Sequence, residues 1–144
     1  MIVLVGLFIC DSVIAGTITV PDDQPTIQAA ITAAVDGDTI KVKKGTYTEQ
    51  IEIVAGKNLT IKGQSKKKVI VQANSSGPVS GDNTFTIAAG GNEITIKNLT
   101  IRYGDYGIRS TSGNVNVLDC ILYHNGWDGT GVDSTPTQAE MLAL

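Results

Sequence analysis

Beyond position 85 the apolar residues fall in short alternating runs, Thr86-Ile87, Ile94-Thr95-Ile96 and Leu99-Thr100-Ile101, and the same runs return 21 residues later. Laying Thr86 to Asp105 over Gly107 to Gly126 sets Ile87 on Ile108, Ile94 on Val115, Ile96 on Val117, Leu99 on Cys120, Ile101 on Leu122 and Asn98 on Asp119. Alternation with period two, broken by Gly, Asn, Lys or Asp, predicts strand-turn-strand-turn-strand with no room for a helix. A unit this small cannot bury its own apolar face and must stack on a copy of itself. Three strands per unit, wound as a coil, predict a parallel β-helix of about four rungs.

Toward the N-terminus the period changes. Thr17 to Val20 alternates as a strand and stops at Pro21-Asp22-Asp23. Ile27, Ala30, Ile31, Ala34 and Val35 then share one helical face, with Pro25 near the first turn, Asp22, Asp23 or Thr26 placed as caps, and Gly37 after the end. An amphipathic helix there serves as a lid over the first rung, hiding the apolar interior and the open strand edge. Thr39 to Val42, a Gly45-Thr46-Tyr47 turn, Ile51 to Ile53, Leu59 to Ile61 and Val69 to Val71 read as the first, less regular rungs. The excursions holding Lys66-Lys67-Lys68 and Ser75 to Asn83 are surface turns. The expected organisation is a leader over 1–15, a strand and capping helix over 16–38, rungs over 39–132, and an irregular or helical tail over 133–144.

In the leader, Ile2 to Ile9 is apolar but too short to span a bilayer, and Val13-Ile14-Ala15 before Gly16 offers the small residues of an export cleavage site. An export signal and a buried first strand both fit these residues. Export places the protein outside the cell or at its surface. Without Cys10, Cys120 is the sole cysteine, so no intramolecular disulfide forms, and its register with Leu99 makes it a small core hydrophobe. In the tail, Thr135 and Gln138 are spaced as a capping box ahead of Ala139, Met141, Leu142 and Leu144. Either a further element begins there, making the chain the N-terminal fragment of a longer protein, or these residues close the stack.

Composition agrees with a folded β-protein. The 144 residues are 42% hydrophobic and 17% charged, with 5% aromatic and 16 Gly. The net charge of -3 hides an asymmetry, since eight of the eleven Lys and Arg lie between Lys41 and Lys68. An acidic balance and a basic stretch with Tyr47 as its one aromatic argue against nucleic acid as a partner. Lys66-Lys67-Lys68 reads as a solvated loop tip or as a contact for an anionic polymer.

The segments Pro25-Thr26-Ile27-Gln28-Ala29-Ala30-Ile31, Asp36-Gly37-Asp38-Thr39-Ile40, Lys43-Lys44-Gly45-Thr46-Tyr47 and Asn58-Leu59-Thr60-Ile61 resemble the opening of pectin lyase-like proteins, especially the pectin methylesterase branch. The resemblance implies a capping helix followed by a right-handed parallel β-helix. It does not fix an activity, because that architecture carries lyases, hydrolases, esterases and non-catalytic proteins. Of the esterase positions only Asp128 carries over, with Trp127-Asp128 standing one residue out of register where a Gln-Asp pair is expected. The glutamine of the preceding strand is absent around Tyr106-Gly107-Ile108.

In strands that alternate in and out, an inward Ile108 sends Arg109 outward, and the neighbouring turns hold Asp105, His124 and Asp128. Together these define a candidate groove, with Arg109 and Asp128 as catalytic candidates and Asp105, Tyr106, His124 and Trp127 as binding candidates. Carboxylates there can hold Ca²⁺ and bridge to an acidic sugar, and the arginine can pair with a uronate or act as base for β-elimination. Turn aspartates also commonly bond nearby backbone. Tyr103, Tyr106, Tyr123 and Trp127 are either sugar platforms or packing groups, and Asn98 with Asp119 forms a turn-side hydrogen-bond ladder.

Two functions follow. In one, the intact protein is an exported enzyme acting on uronate-rich polysaccharide. In the other, the coil is a monomeric cell-surface scaffold that binds glycan without cleaving it. For the present chain the scaffold is favoured, because no paired carboxylates at useful spacing stand in its rungs.

Overall fold

The computed structural model describes residues 14–54, 56–126 and 130–132. The expected leader and tail therefore lie almost wholly outside the described residues, as do Trp127 and Asp128. The order of elements is β1 (Thr17–Val20), α1 (Ile27–Ala33), β2 (Thr39–Val42), β3 (Gly45–Thr48), β4 (Ile51–Val54), β5 (Leu59–Gly63), β6 (Val69–Gln72), β7 (Phe85–Lys97), β8 (Thr100–Arg102), β9 (Ile108–Leu118), β10 (Ile121–Tyr123) and β11 (Thr130–Val132). The fold is all-β apart from the one short helix. Every strand pairing among the described residues is parallel. No helix among them is long and apolar enough to cross a membrane.

The strands form two sheets. One runs β1-β2-β5-β7-β9-β11, with β4 also pairing β7, and the other runs β10-β8-β6-β3. Neighbours in each sheet are separated in sequence, so every strand is zipped to its counterpart in the preceding or following unit. Ile40 pairs with Ile61, Ile61 with Ile96 and Ile96 with Val117, which builds one apolar column. In the smaller sheet Tyr47, Val71, Ile101 and Leu122 form another. Both columns and the helix feed a single core, in which Ile40, Ile61, Ile96 and Ile101 are fully buried. A column of this kind follows from the two-residue period, because parallel partners in register direct equivalent side chains to the same face.

The corners between strands are set by backbone conformation. Asn98 (φ 60°) and Asp119 (φ 53°) are left-handed at equivalent corners, as are Tyr103 (φ 59°) and His124 (φ 52°). Asn and Asp tolerate that region, whereas Tyr and His enter it less readily. Asn98 Nδ2 donates to the Gly63 carbonyl (2.9 Å) and its Oδ1 accepts from Lys66 N (3.2 Å), while Lys66 Nζ pairs with Asp119. The two corner residues are thus tied through Lys66, not bonded to each other. Gly63 is required beneath this corner, since a Cβ there would lie 2.3 Å from the Asn98 carbonyl oxygen.

α1 caps one end of the core. It contacts β1, β2 and β4 and buries Ile27, Ala30 and Ile31. Thr26, one of the three caps the sequence offered, fills the role, its Oγ1 accepting from Ala29 N (3.0 Å). Two more first-turn N–H groups, of Ile27 and Gln28, donate to the Glu49 carboxylate at 3.1 and 3.0 Å. The Gln28 side chain completes the lid by mimicking a strand, for Glu52 N donates to its Oε1 (2.7 Å) and its Nε2 donates to Glu52 O (3.1 Å). The edge of β4 turned toward the helix is covered in this way. Lys57 Nζ donates to the carbonyls of Ile31 and Thr32 at the helix C-terminus, where a cation is favoured.

Three further sequence expectations change. Ile108 lies beside Phe85, and Ile87 beside Ser110, so the strand that opens the unit is shifted by two residues from the 21-residue alignment. The shift is taken up at irregularities between Ile87 and Ala88 and between Ala88 and Glu93, where Gly90 and Gly91 adopt positive φ. Gly45-Thr46-Tyr47 is strand β3, not a turn, because its backbone pairs with β6 although its side chains are mostly exposed. Helix α1 stops at Ala33, and Val35 is exposed because Asp38 Oδ2 takes its N–H (2.8 Å) outside the helix.

Candidate functional site

The densest group of exposed chemistry lies where β8 and β10 turn toward the larger sheet. Arg102, the last residue of β8, sits in register between Gln72 of β6 and Tyr123 of β10. Its Nε donates to Gln72 Oε1 and its Nη1 donates to the Tyr123 hydroxyl, both at 2.8 Å. Gln72 is buried and its Nε2 donates to Thr48 Oγ1 (3.0 Å), so the guanidinium is oriented from below by a hydrogen-bonded column. The guanidinium carbon lies 4.6 Å from the Tyr103 ring centre and 5.9 Å from that of Tyr123. Both distances fall within cation–π range.

The next residue in each unit supplies a second ring. Tyr103 and His124 stack with centroids 6.1 Å apart and planes 3° from parallel, and Tyr123 lies 5.0 Å from His124 at a tilted angle. The left-handed backbone at both positions turns the chain at this corner, and Tyr103 N donates to His124 O (3.1 Å) to keep the two corners together. Non-glycine residues in that region are sparse and concentrate at sites where the backbone is held by its surroundings. The result is a patch of three aromatic rings, two of which, Tyr103 and Tyr123, flank one oriented arginine.

Asp105 and Tyr106 follow on the same connection. Asp105 is half-buried, its Oδ2 accepts from Gly81 N (2.8 Å), and its own N–H donates to Asp82 O (2.6 Å). Its carboxylate thus fastens one turn to the turn below. Tyr106 is also half-buried, with its N–H on Asn83 Oδ1 (3.3 Å) and its carbonyl accepting from Thr84 N. Asn125 Oδ1 accepts from Gly104 N (3.1 Å), and Asn74 Nδ2 donates to Tyr103 O (3.4 Å). These polar turn groups hold the corner in shape.

Arg109 is exposed on β9, in register with Thr86 and Gly131, as its alternation with Ile108 predicted. Among the described residues no hydrogen bond or ion pair joins it to Asp105 or His124. Of the six candidates, Asp105 and Tyr106 bond to the turn at 81–83, His124 stacks on Tyr103, and Arg109 stands exposed on β9; among the described residues no hydrogen bond or ion pair joins any two of them, and Trp127 and Asp128 lie outside the described residues. Sequence reading passed over Arg102. The 21-residue alignment contained the signal, because it sets Arg102-Tyr103 on Tyr123-His124 once polar positions are compared as carefully as apolar ones.

Among the described residues no three His, Cys, Asp or Glu side chains converge as a metal cage. Cys120 packs against the core, and burial pushes its thiol above its ordinary value of 9.0, against the partial opposition of nearby backbone donors. It is a poor nucleophile for that reason. Burial, followed by the charges of Glu49 and Asp22, likewise raises the Tyr47 hydroxyl, which donates to Lys43 O (2.9 Å). The arrangement at the corner suits recognition: aromatic faces can take the C–H side of a sugar, and a forked guanidinium can take a carboxylate. Compared with known proteins, the chain matches no family model and no curated protein.

Proposed function

We propose that the chain winds as a right-handed parallel β-helix of the pectin lyase-like type, capped by α1, and serves as an exported scaffold that binds acidic polysaccharide without processing it. The observation that carries this reading is the Arg102, Tyr103, Tyr123 and His124 cluster, in which one arginine is oriented through a buried glutamine beside three rings. The parallel registers, the shared core and the lid helix support the coil. The engagement of Asp105, Asn74 and Asn125 with backbone groups supports binding over catalysis, because their side chains shape the corner.

The test is calorimetric titration with polygalacturonate, alginate and an uncharged glucan. The double variant Y103N/H124N removes two rings while placing at both corners a residue that suits left-handed backbone. It should bind acidic glycan about tenfold more weakly, for a loss of ~1.4 kcal/mol, with no fall in Tm. Unchanged affinity would remove the corner from consideration. New reducing ends or unsaturated products from any of these polymers, with or without Ca²⁺, would replace the scaffold by an enzyme.

A further inference from the structure

The outer face of the larger sheet carries two columns of largely polar side chains, the second ending in the exposed Leu118. Thr17, Thr39, Thr60, Thr95 and Asn116 are successive register partners, and so are Thr19, Lys41, Lys62, Lys97 and Leu118. The tripeptide Thr-Ile-Lys occurs at 39–41, 60–62 and 95–97, each time with the isoleucine fully buried and the flanking residues on the opposite face. Three lysines therefore stand on adjacent strands at the 4.7–4.9 Å strand spacing. The ion pairs among the described residues join Lys43 to Asp22 and Lys66 to Asp119, so none involves this column. Like charges directly opposite one another destabilise a sheet, and a face that needed only solubility would alternate signs.

A shallow hollow of about 200 Å³ lies at the threonine column, on its side away from the lysines, lined by Gly37, Asn58, Leu59, Thr60, Glu93 and Thr95. Its threonine hydroxyls and the Glu93 carboxylate can meet sugar hydroxyls. Glu93 also gives the face a direction. It precedes Thr95 by two residues on β7 and Lys97 follows by two, so the threonine column separates the negative edge from the positive one. Asn116 Nδ2 holds the Glu93 carboxylate in place at 2.7 Å.

The geometry points to this face as a second binding surface, which takes a linear anionic glycan lying across the strands, its rings over the threonine column and its acidic groups on Lys41, Lys62 and Lys97. A linear polymer of acidic sugars carries its charges at regular intervals along one axis, as the lysine column does. The face has no aromatic side chain in either column on which a nucleobase could stack, which favours glycan over single-stranded nucleic acid. This extends the glycan-binding reading to another part of the molecule and does not depend on the aromatic corner.

The test compares K41Q/K62Q/K97Q with K44Q/K67Q/K68Q, which removes the same charge from exposed positions outside the ladder. Both are titrated with polygalacturonate, with heparin as a sulfated linear glycan, and with duplex DNA at several salt concentrations. The ladder variant should lose about tenfold in glycan affinity at low salt and show a shallower salt dependence, while the control changes less than about twofold. Polygalacturonate preference identifies carboxylate as the recognised group, and heparin preference identifies sulfate. Equal losses in both variants, no loss in the ladder variant, or DNA binding as tight as glycan binding would overturn the proposal. Should the triple variant fail to fold, K62Q alone should weaken binding about threefold, and no change would be equally decisive. Y103N/H124N reports on the other surface and keeps failure there separate from failure here.

Discussion

Gly63→Ala probes the stacking of units at its tightest point. Gly63 ends β5, and its ideal Cβ position lies 2.3 Å from the Asn98 carbonyl oxygen and 2.9 Å from Leu99 Cβ. The first obstacle is backbone and cannot rotate aside, for Asn98 is itself held by its bonds to Gly63 O and Lys66 N. Forcing the methyl in costs about 1–3 kcal/mol of overpacking, and loosening the Asn98 bond adds about 0.5–1.5 kcal/mol. Reduced freedom of the unfolded chain returns about 0.4–1 kcal/mol. The net expectation is a loss of roughly 2 kcal/mol, within about 0.5–4 kcal/mol, read as a lower urea midpoint at unchanged m-value. Gly16→Ala is the control, because its nearest neighbour would be Asp38 Oδ1 at 3.5 Å, an ordinary contact, and it should stay within about 0.5 kcal/mol of wild type. Equal stability of the two variants would mean that residues 63 and 98 are not stacked as described.

Glu49→Ala removes the acceptor of two first-turn N–H groups in α1, and a loss of about 1–3 kcal/mol is expected, discounted for the partial exposure of the carboxylate. Hydrogen exchange should quicken first at Ile27 and Gln28, and unchanged exchange there would refute the cap. The raised Cys120 thiol implies that the native state holds its proton longer than the unfolded chain, so its contribution is intact below the ordinary thiol value and is lost as pH rises through the elevated one. Denaturant midpoints between neutral pH and the alkaline range should fall less steeply for Cys120→Ala than for wild type, and parallel curves would contradict the burial of the thiol.

What the sequence made legible was the apolar pattern. Ile94 and Val115, and Ile96 and Val117, are register partners because an alternating strand must keep its buried set on one face. Asn98 and Asp119 turn equivalent corners because both residue types accept positive φ. The Ile87 and Ile108 match failed because a uniform 21-residue offset hides two compensating irregularities, a displacement by two residues in the opening strand and a longer glycine-containing bend in the earlier unit. The 21-residue offset opposes Ile87 with Ile108, whereas the observed register opposes Phe85 with Ile108 and Ile87 with the buried Ser110, so apolar matching alone favoured the wrong offset. The site was less legible for a different reason. Arg102 and the lysine column acquire meaning only when the sheets bring Gln72 beneath the guanidinium and set Lys41, Lys62 and Lys97 side by side; the repeated Thr-Ile-Lys tripeptide marks the lysines, but its uneven spacing along the chain does not say that they lie on adjacent strands.

The most direct measurement is the experimental register of the Ile40, Ile61, Ile96 and Val117 column, from a crystal structure or from cross-strand amide and α-proton contacts in solution. Stacked units require these four residues to be consecutive parallel partners, with neighbouring backbones about 4.8 Å apart and every side chain in one core. Any register that turns Ile61 and Ile96 to opposite faces, or pairs their strands antiparallel, would contradict the account from the lid to the lysine ladder.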